Sequence, residues 1–222
     1  MKIIKPSLPS AKVFWGISSF QALAMFRRGL FYAFLSIYLR YFLGLFLDTG
    51  FGVSSRVLSY IFNTESVAII CFGLLAGRLG RWLGDGQTVC LGAFIAIAYL
   101  MIYAFTNDLK WIYVASCFRG MADVIILAAS YAFVSVLIPP ERRGTLFGLF
   151  NATLFLSWGV AGTLIAGPIV DLLFHMGASQ ATAYRSAYLS GLVMVIVGLL
   201  IQSFLVFVLL PKTGISAQRR RT

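Results

Sequence analysis

Charge is what this sequence has least of. Only 11% of its 222 residues are Asp, Glu, Lys or Arg, against about a quarter in an ordinary soluble domain. The chain has seven acidic residues and one histidine, His175. A lone histidine excludes a histidine-rich metal site. Cys71, Cys90 and Cys117 fall inside apolar runs with no CxxC spacing, so they read as small apolar fillers, not as metal ligands or disulfide partners. There is no HExxH, no phosphate-cradling glycine loop and no Ser/His/Asp set. No enzyme, cofactor or metal is therefore expected. The opening MKIIKPSLPSAK has lysines but two prolines and no apolar core, so a cleavable signal peptide is not expected.

Apolar residues make up the balance. The chain is 60% hydrophobic, with a mean hydropathy of +0.90. A water-soluble fold of this size could not hide that much apolar surface, because much of any folded surface stays exposed. Lipid removes the difficulty, and in lipid only helices or closed barrels satisfy the backbone. The apolar runs are far too long for barrel strands, so an all-α, polytopic membrane protein is expected.

A helix needs about 20 apolar residues to cross the hydrocarbon core. Three runs meet this without a charge: Thr88 to Thr106, Gly144 to Val170 and Ser186 to Leu210. Three more carry ionisable residues: Val13 to Tyr41, Val57 to Gly77 and Trp111 to Ile138. The expectation is a six-transmembrane-helix bundle over residues 13–210, with a cytoplasmic segment 1–12 and a basic cytoplasmic tail 211–222. Short polar connections, such as Asn107-Asp-Leu-Lys and Pro139-Pro-Glu-Arg-Arg-Gly144, imply antiparallel neighbours. The Asn151-Ala-Thr153 glycosylation pattern lies inside an apolar run and is discounted.

The net charge of +11 follows from topology, and no nucleic acid is needed to explain it. One set of loop ends gathers eleven Lys and Arg: Lys2, Lys5, Lys12, Arg78, Arg81, Arg142, Arg143, Lys212 and Arg219 to Arg221. The other set has Arg40, Arg56, Lys110 and Arg185. Positive charge marks the cytoplasmic side, so both termini are expected there, in a cell (inner) membrane. The arginine tail would also suit anionic lipid. Trp15, Trp82, Trp111, Tyr38, Tyr41 and Tyr188 sit at belt positions, where amphipathic rings straddle the membrane boundary.

Five ionisable residues lie within the spans: Arg27, Arg28, Glu65, Arg119 and Asp123. Each costs a few kcal/mol at the bilayer centre, at least about 2.5 for an isolated Arg or Asp, so it is expected to face the bundle interior. Arg119 and Asp123 are four apart and share a helix face, where they can pair. Glu65 either takes up a coupling proton or serves as counter-ion to Arg27 or Arg28. Two placements of the first span stay open. A long helix puts Arg27 and Arg28 at mid-membrane. A surface segment to Phe26, followed by a span from Gly29 to Phe46, makes them interfacial anchors. The small residues Gly159, Ala161, Gly162, Ala166 and Gly167, followed by Pro168, read as a close-packing and bending stretch of the fifth span.

With these residues in view, the chain resembles the six-helix amino-terminal half of the major facilitator superfamily over nearly its whole length. Leu137-Ile-Pro-Pro-Glu-Arg-Arg-Gly144-Thr-Leu-Phe-Gly148 is similar to the family's loop between helices four and five. Gly73 to Asp85 stands at its loop motif between helices two and three, and Arg28 to Leu39 is similar to its first helix. There are departures. Gly77 and Gly84 match the loop motif, but Arg81 occupies the place of its Asp and Asp85 a basic place; the two charges, at i and i+4, can still pair. Arg119-Gly120 has Arg where the helix-four pattern often has Gln. Gly162-Thr-Leu-Ile-Ala166-Gly167 lacks the proline of the antiporter motif. The resemblance implies a secondary transporter, or half of one, moving a small organic solute by alternating access. Helices one and four would line the cavity, and Gly77, Arg81, Gly84, Asp85, Arg142 and Arg143 would form gating loops. Expected partners are a solute with an anionic group, protons, the bilayer, and a second six-helix half or a second copy. The rival expectation is a non-transporting assembly or regulatory subunit.

Overall fold

The computed structural model describes residues 12–26, 55–160, 164–165 and 167–210. All regular structure among them is helical. We number the helices α1 (12–26), α2 (Ser55–Leu83), α3 (Asp85–Phe105), α4 (Leu109–Leu137), α5 (Arg143–Val160), α6 (Gly167–His175) and α7 (Gln180–Phe204). A wider π-helical turn, Leu205–Leu209, extends α7. Arg27, Arg28, Tyr38 and Tyr41, with the segments 1–11 and 211–222, lie outside the described residues.

Four of these helices are long and apolar enough to cross a membrane: Ser59–Leu83, Asp85–Phe105, Leu109–Val136 and Arg185–Leu209. The chain is thus a multi-pass membrane protein. Two of the six expected spans are not matched by a single long helix among the described residues. The first is described only to Phe26. Of the fifth, the described residues give α5, a π-helical pair at 164–165 and the nine-residue α6.

The turns are tight and chemically specified. Between α2 and α3 there is only Gly84, with φ 87°, a conformation that glycine alone adopts cheaply. This corrects the expected motif loop: Gly77 and Arg81 are inside α2, and Asp85 opens α3. Arg81 is exposed and Asp85 buried, on either side of the turn at Gly84. Asp108 caps α4 by accepting from the Lys110 amide at 2.9 Å, and Ser179 caps α7 by accepting from the Thr182 amide at 3.2 Å. Arg185 donates to the Thr106 carbonyl at 3.1 Å and to Asn107, fastening the start of α7 to the α3–α4 turn. Below, the two ends of the bundle are called the Thr106 end and the Gly84 end.

α3 is the hub. It packs on α4 and α7, and α4 also packs on α2. One apolar core joins these helices through residues such as Ala93, Ala96, Leu100, Ala122 and Ile126. A second, at the Gly84 end, joins Val13, Phe14 and Ile17 of α1 to Phe133, Val134, Phe150 and Leu205. Burial of Val13, Ile17, Phe20 and Ala24 at three- and four-residue spacing packs one face of α1 against the bundle. α5 docks through Tyr131 of α4, which stacks on Phe147 and donates to Asn151. Trp15, Trp82 and Trp111 are 54%, 87% and 55% exposed, facing outward as belt residues do. Tyr188 does not: it is buried.

Candidate functional site

The charged residues meet where α2 crosses α4. Arg119 lies eleven residues into α4 and Glu65 eleven into α2, counting each helix from the Thr106 end. Nη1 of Arg119 stands 3.1 Å from Oε2 of Glu65, with side chains 2% and 8% exposed. Glu65 therefore has Arg119 as counter-ion, a pairing between helices that neither sequence alternative contained. Asp123, one turn further along α4, is fully buried and within electrostatic reach of the guanidinium.

Gly120 makes this meeting possible. A Cβ there would run into the Glu65 carbonyl oxygen and stand 3.0 Å from the Ala68 Cβ. The two backbones approach so closely that no other residue fits. Sequence reasoning took Gly120 only as part of a motif. Its signal was present nonetheless, a glycine beside a buried charge in a membrane helix, where small residues allow close approach.

An aromatic layer adjoins the ion pair toward the Thr106 end. The Tyr103 hydroxyl and Ser116 Oγ are 2.7 Å apart. Tyr188 stacks on Tyr103 with centroids 5.2 Å apart and planes at 13°, and Tyr99 meets Tyr103 edge-on at 6.0 Å. Tyr99 and Tyr103, like Asp123, interact with the Arg119 charge. The cluster thus draws on α2, α3, α4 and α7. A guanidinium presents five donors in a fixed fork, so one carboxylate does not exhaust it. Such a group can hold carboxylate, phenol or another anion in turn, within a medium where Coulomb forces are strong.

The expected gating residues stand elsewhere, at the Gly84 end. Arg142 closes an exposed turn, Pro140–Arg142, and Arg143 opens α5. Both are exposed, as are Gly77 and Arg81.

A polytopic helical membrane protein with a buried interhelical ion pair is the class these features define. The family model for the Major Facilitator Superfamily matches residues 17–222, and the chain belongs to that family. Among curated proteins it is similar to UNC93-like protein 1 of Arabidopsis thaliana, 26% identical over 176 residues, covering 75% of this chain and 36% of the relative. An uncharacterized MFS-type transporter of Methanocaldococcus jannaschii is 21% identical over 121 residues, covering 54% and 31%. The riboflavin transporter RibZ of Clostridioides difficile is 21% identical over 131 residues, covering 59% and 28%. The chain spans about a third of the length of these relatives.

Proposed function

We propose that this chain is a six-helix unit of a secondary active transporter that moves a small organic solute across a membrane by alternating access. The observation that carries the reading is the Glu65–Arg119 ion pair, buried between two membrane-spanning helices with Asp123 one turn away. Ionisable groups at such depth are costly and typically mark substrate, ion or proton paths. Family membership and the transporter names of two relatives support the general class.

In this reading Arg119 receives an anionic group of the solute, and Glu65 changes partner when the solute displaces it. Release of Glu65 from Arg119 favours its protonation, which couples solute to proton movement. Arg27 and Arg28 would join from the first span, and both termini would face the cytoplasm. Alternating access needs a second six-helix unit, either a later part of a longer polypeptide or another copy. The relatives' greater length and the outward face of α2, with Val67, Ile70 and Leu74 exposed, are in keeping with such a partner. Gly77, Arg81, Gly84, Asp85, Arg142 and Arg143 would gate the Gly84 end.

The test reconstitutes the native full-length polypeptide in liposomes and follows proton-driven uptake over a panel of small organic anions. Glu65→Gln should abolish coupled uptake while the purified protein keeps its helix content and size-exclusion profile. Unchanged proton-driven uptake by that variant would overturn the role of Glu65. Native mass in nanodiscs gives a second measure. A chain about double this length or a dimer agrees with the reading, and a 24.4 kDa monomer contradicts it.

A further inference from the structure

Arg185 is a cation that the fold holds in place without neutralising. It stands in the second turn of α7, where the span Arg185–Leu209 begins, at the Thr106 end of the bundle. Its Nη2 donates to the Thr106 carbonyl at 3.1 Å and to Oδ1 of Asn107. Both acceptors are neutral. No carboxylate among the described residues pairs with it. Asp108, next to Asn107, serves instead as the cap of α4, with Oδ1 on the Lys110 amide. Lys110 adds a second, exposed positive charge to the same turn.

A guanidinium has five N–H donors. The two bonds made here both use Nη2. Nε is buried and has no hydrogen-bond partner among the described residues. Nη1 has none there either, and it is not enclosed. A fastening between α7 and the α3–α4 turn does not need this arrangement. A neutral amide side chain could serve the same two oxygens without leaving a cation part-buried, which costs free energy. Unspent donors on a fixed, uncompensated guanidinium suit an oxyanion, because Arg binds carboxylate and phosphate through paired N–H groups.

Its position adds a second argument. Tyr188 follows Arg185 one turn deeper on α7 and stacks on Tyr103. The Tyr103 hydroxyl meets Ser116, which lies one turn before Arg119 on α4. Both rings are within electrostatic reach of Arg119. Arg119 is ten residues past the start of α4 at Leu109, hence about 15 Å deeper than the α3–α4 turn. Two guanidinium groups thus stand at the two ends of one aromatic layer, the outer one unpaired and the inner one paired with Glu65.

We propose that Arg185 is a second oxyanion-binding residue, at the Thr106 end, which takes up the carboxylate or phosphate of a small solute before that group passes the tyrosine layer to Arg119. The onward step rests on the transporter reading above; the binding at Arg185 does not.

Phenylglyoxal labelling of the native full-length polypeptide in nanodiscs tests the binding directly. The reagent attacks guanidinium groups that solvent reaches, and mass spectrometry of the digest reports each arginine separately. Benzoate and inorganic phosphate are the probe anions. Labelling of Arg185 should slow several-fold with at least one of them, while Arg56, exposed at the same end of α2, labels at an unchanged rate. An Arg185 that does not react, or that reacts equally with and without both anions, overturns the site. In liposomes, Arg185→Gln should raise KM for anionic solutes about tenfold, the lower end of what a charged cleft gains by focusing its field, with the maximal rate kept. Arg185→Lys should restore much of this, and added salt should narrow the gap. A lower maximal rate with KM unchanged and no salt dependence would mark Arg185 as a structural fastening and overturn the proposal. Absence of uptake by the unmutated protein counts against the transporter reading alone, and the labelling result then decides Arg185.

Discussion

The ion pair of α2 and α4 and the amides Gln21 of α1 and Gln202 of α7 meet the same problem by different means. Both are polar groups buried inside an apolar bundle, and Ser130, which holds Gln21, lies about 16 Å from Arg119 along α4. At the first, protein supplies the partners: Arg119 faces Glu65 at 3.1 Å, with Asp123 and the tyrosines nearby. At the second, among the described residues, Ser130 meets one end of Gln21 and no partner meets Gln202. The difference follows from charge. An ion stripped of water costs several kcal/mol even after relaxation, so its counter-charge must be built into the fold. A neutral amide costs about 1–3 kcal/mol per unmet group, little enough for the fold to carry.

The largest effect should come from breaking the ion pair on one side. Glu65→Leu strands the Arg119 charge and should lower stability by about 3–5 kcal/mol, as removal of one partner of a buried pair does. Adding Arg119→Leu should recover part of that loss, since the guanidinium is no longer stranded, while the buried Asp123 loses its neighbouring cation. Chemical unfolding in mixed micelles measures both, and additive losses would mean that the pair is not coupled. Gly120→Ala probes the geometry that brings the charges together. Its Cβ has no room beside the Glu65 carbonyl and the Ala68 methyl, so the helices must part. A loss of about 1–3 kcal/mol is expected, the usual cost of overpacking, and an unchanged Tm would show that α2 and α4 can separate freely. Tyr103→Phe removes only the bond to Ser116. Interhelical hydrogen bonds in membranes average about 0.6 kcal/mol, so a Tm shift of a degree or two is the expected reading. Smallest of all is Leu74→Ala on the outward face of α2. Leu74 is 79% exposed, and its truncation should leave the stability of this unit within about 0.5 kcal/mol. A large loss there would mean that the face is covered even in the isolated unit.

Helix number and position were partly legible because a membrane span is a long, locally encoded signal. α3 and α4 start and stop within a few residues of the apolar runs that predicted them, while α7 starts six residues ahead of its run, at Gln180. The run ending at Gly77 did not predict that α2 continues to Leu83. Arg78, Arg81 and Trp82 end the apolar signal, yet Arg favours helix, and only Gly84 supplies a break. Glu65, Arg119 and Asp123 could be picked out, because each interrupts an apolar stretch, but not who meets whom. Glu65 and Arg119 are 54 positions apart (119 minus 65), and spacing carries no information over that distance. Tyr188 was misread for a related reason. Its place near a span end fits a belt residue, and only the packing of α7 on α3 turns its ring onto Tyr103. Gln202 offered a signal that was passed over, a lone amide in an otherwise apolar run.

The extra length of α2 sets a relation between the protein and its bilayer. Twenty-nine residues make a rod of about 43 Å, whereas the hydrocarbon layer is about 30 Å thick. A typical tilt of about 20° shortens the projection only to about 40 Å. Two helical turns must therefore stand clear of the acyl chains. If the surplus falls at the Gly84 end, it carries the exposed Arg78 and Arg81 up to the phosphates and holds the one-residue turn at Gly84 in the headgroup layer. A thicker membrane would draw that turn inward, so lipid chain length becomes a mechanical input to the very end of the bundle where the loops lie.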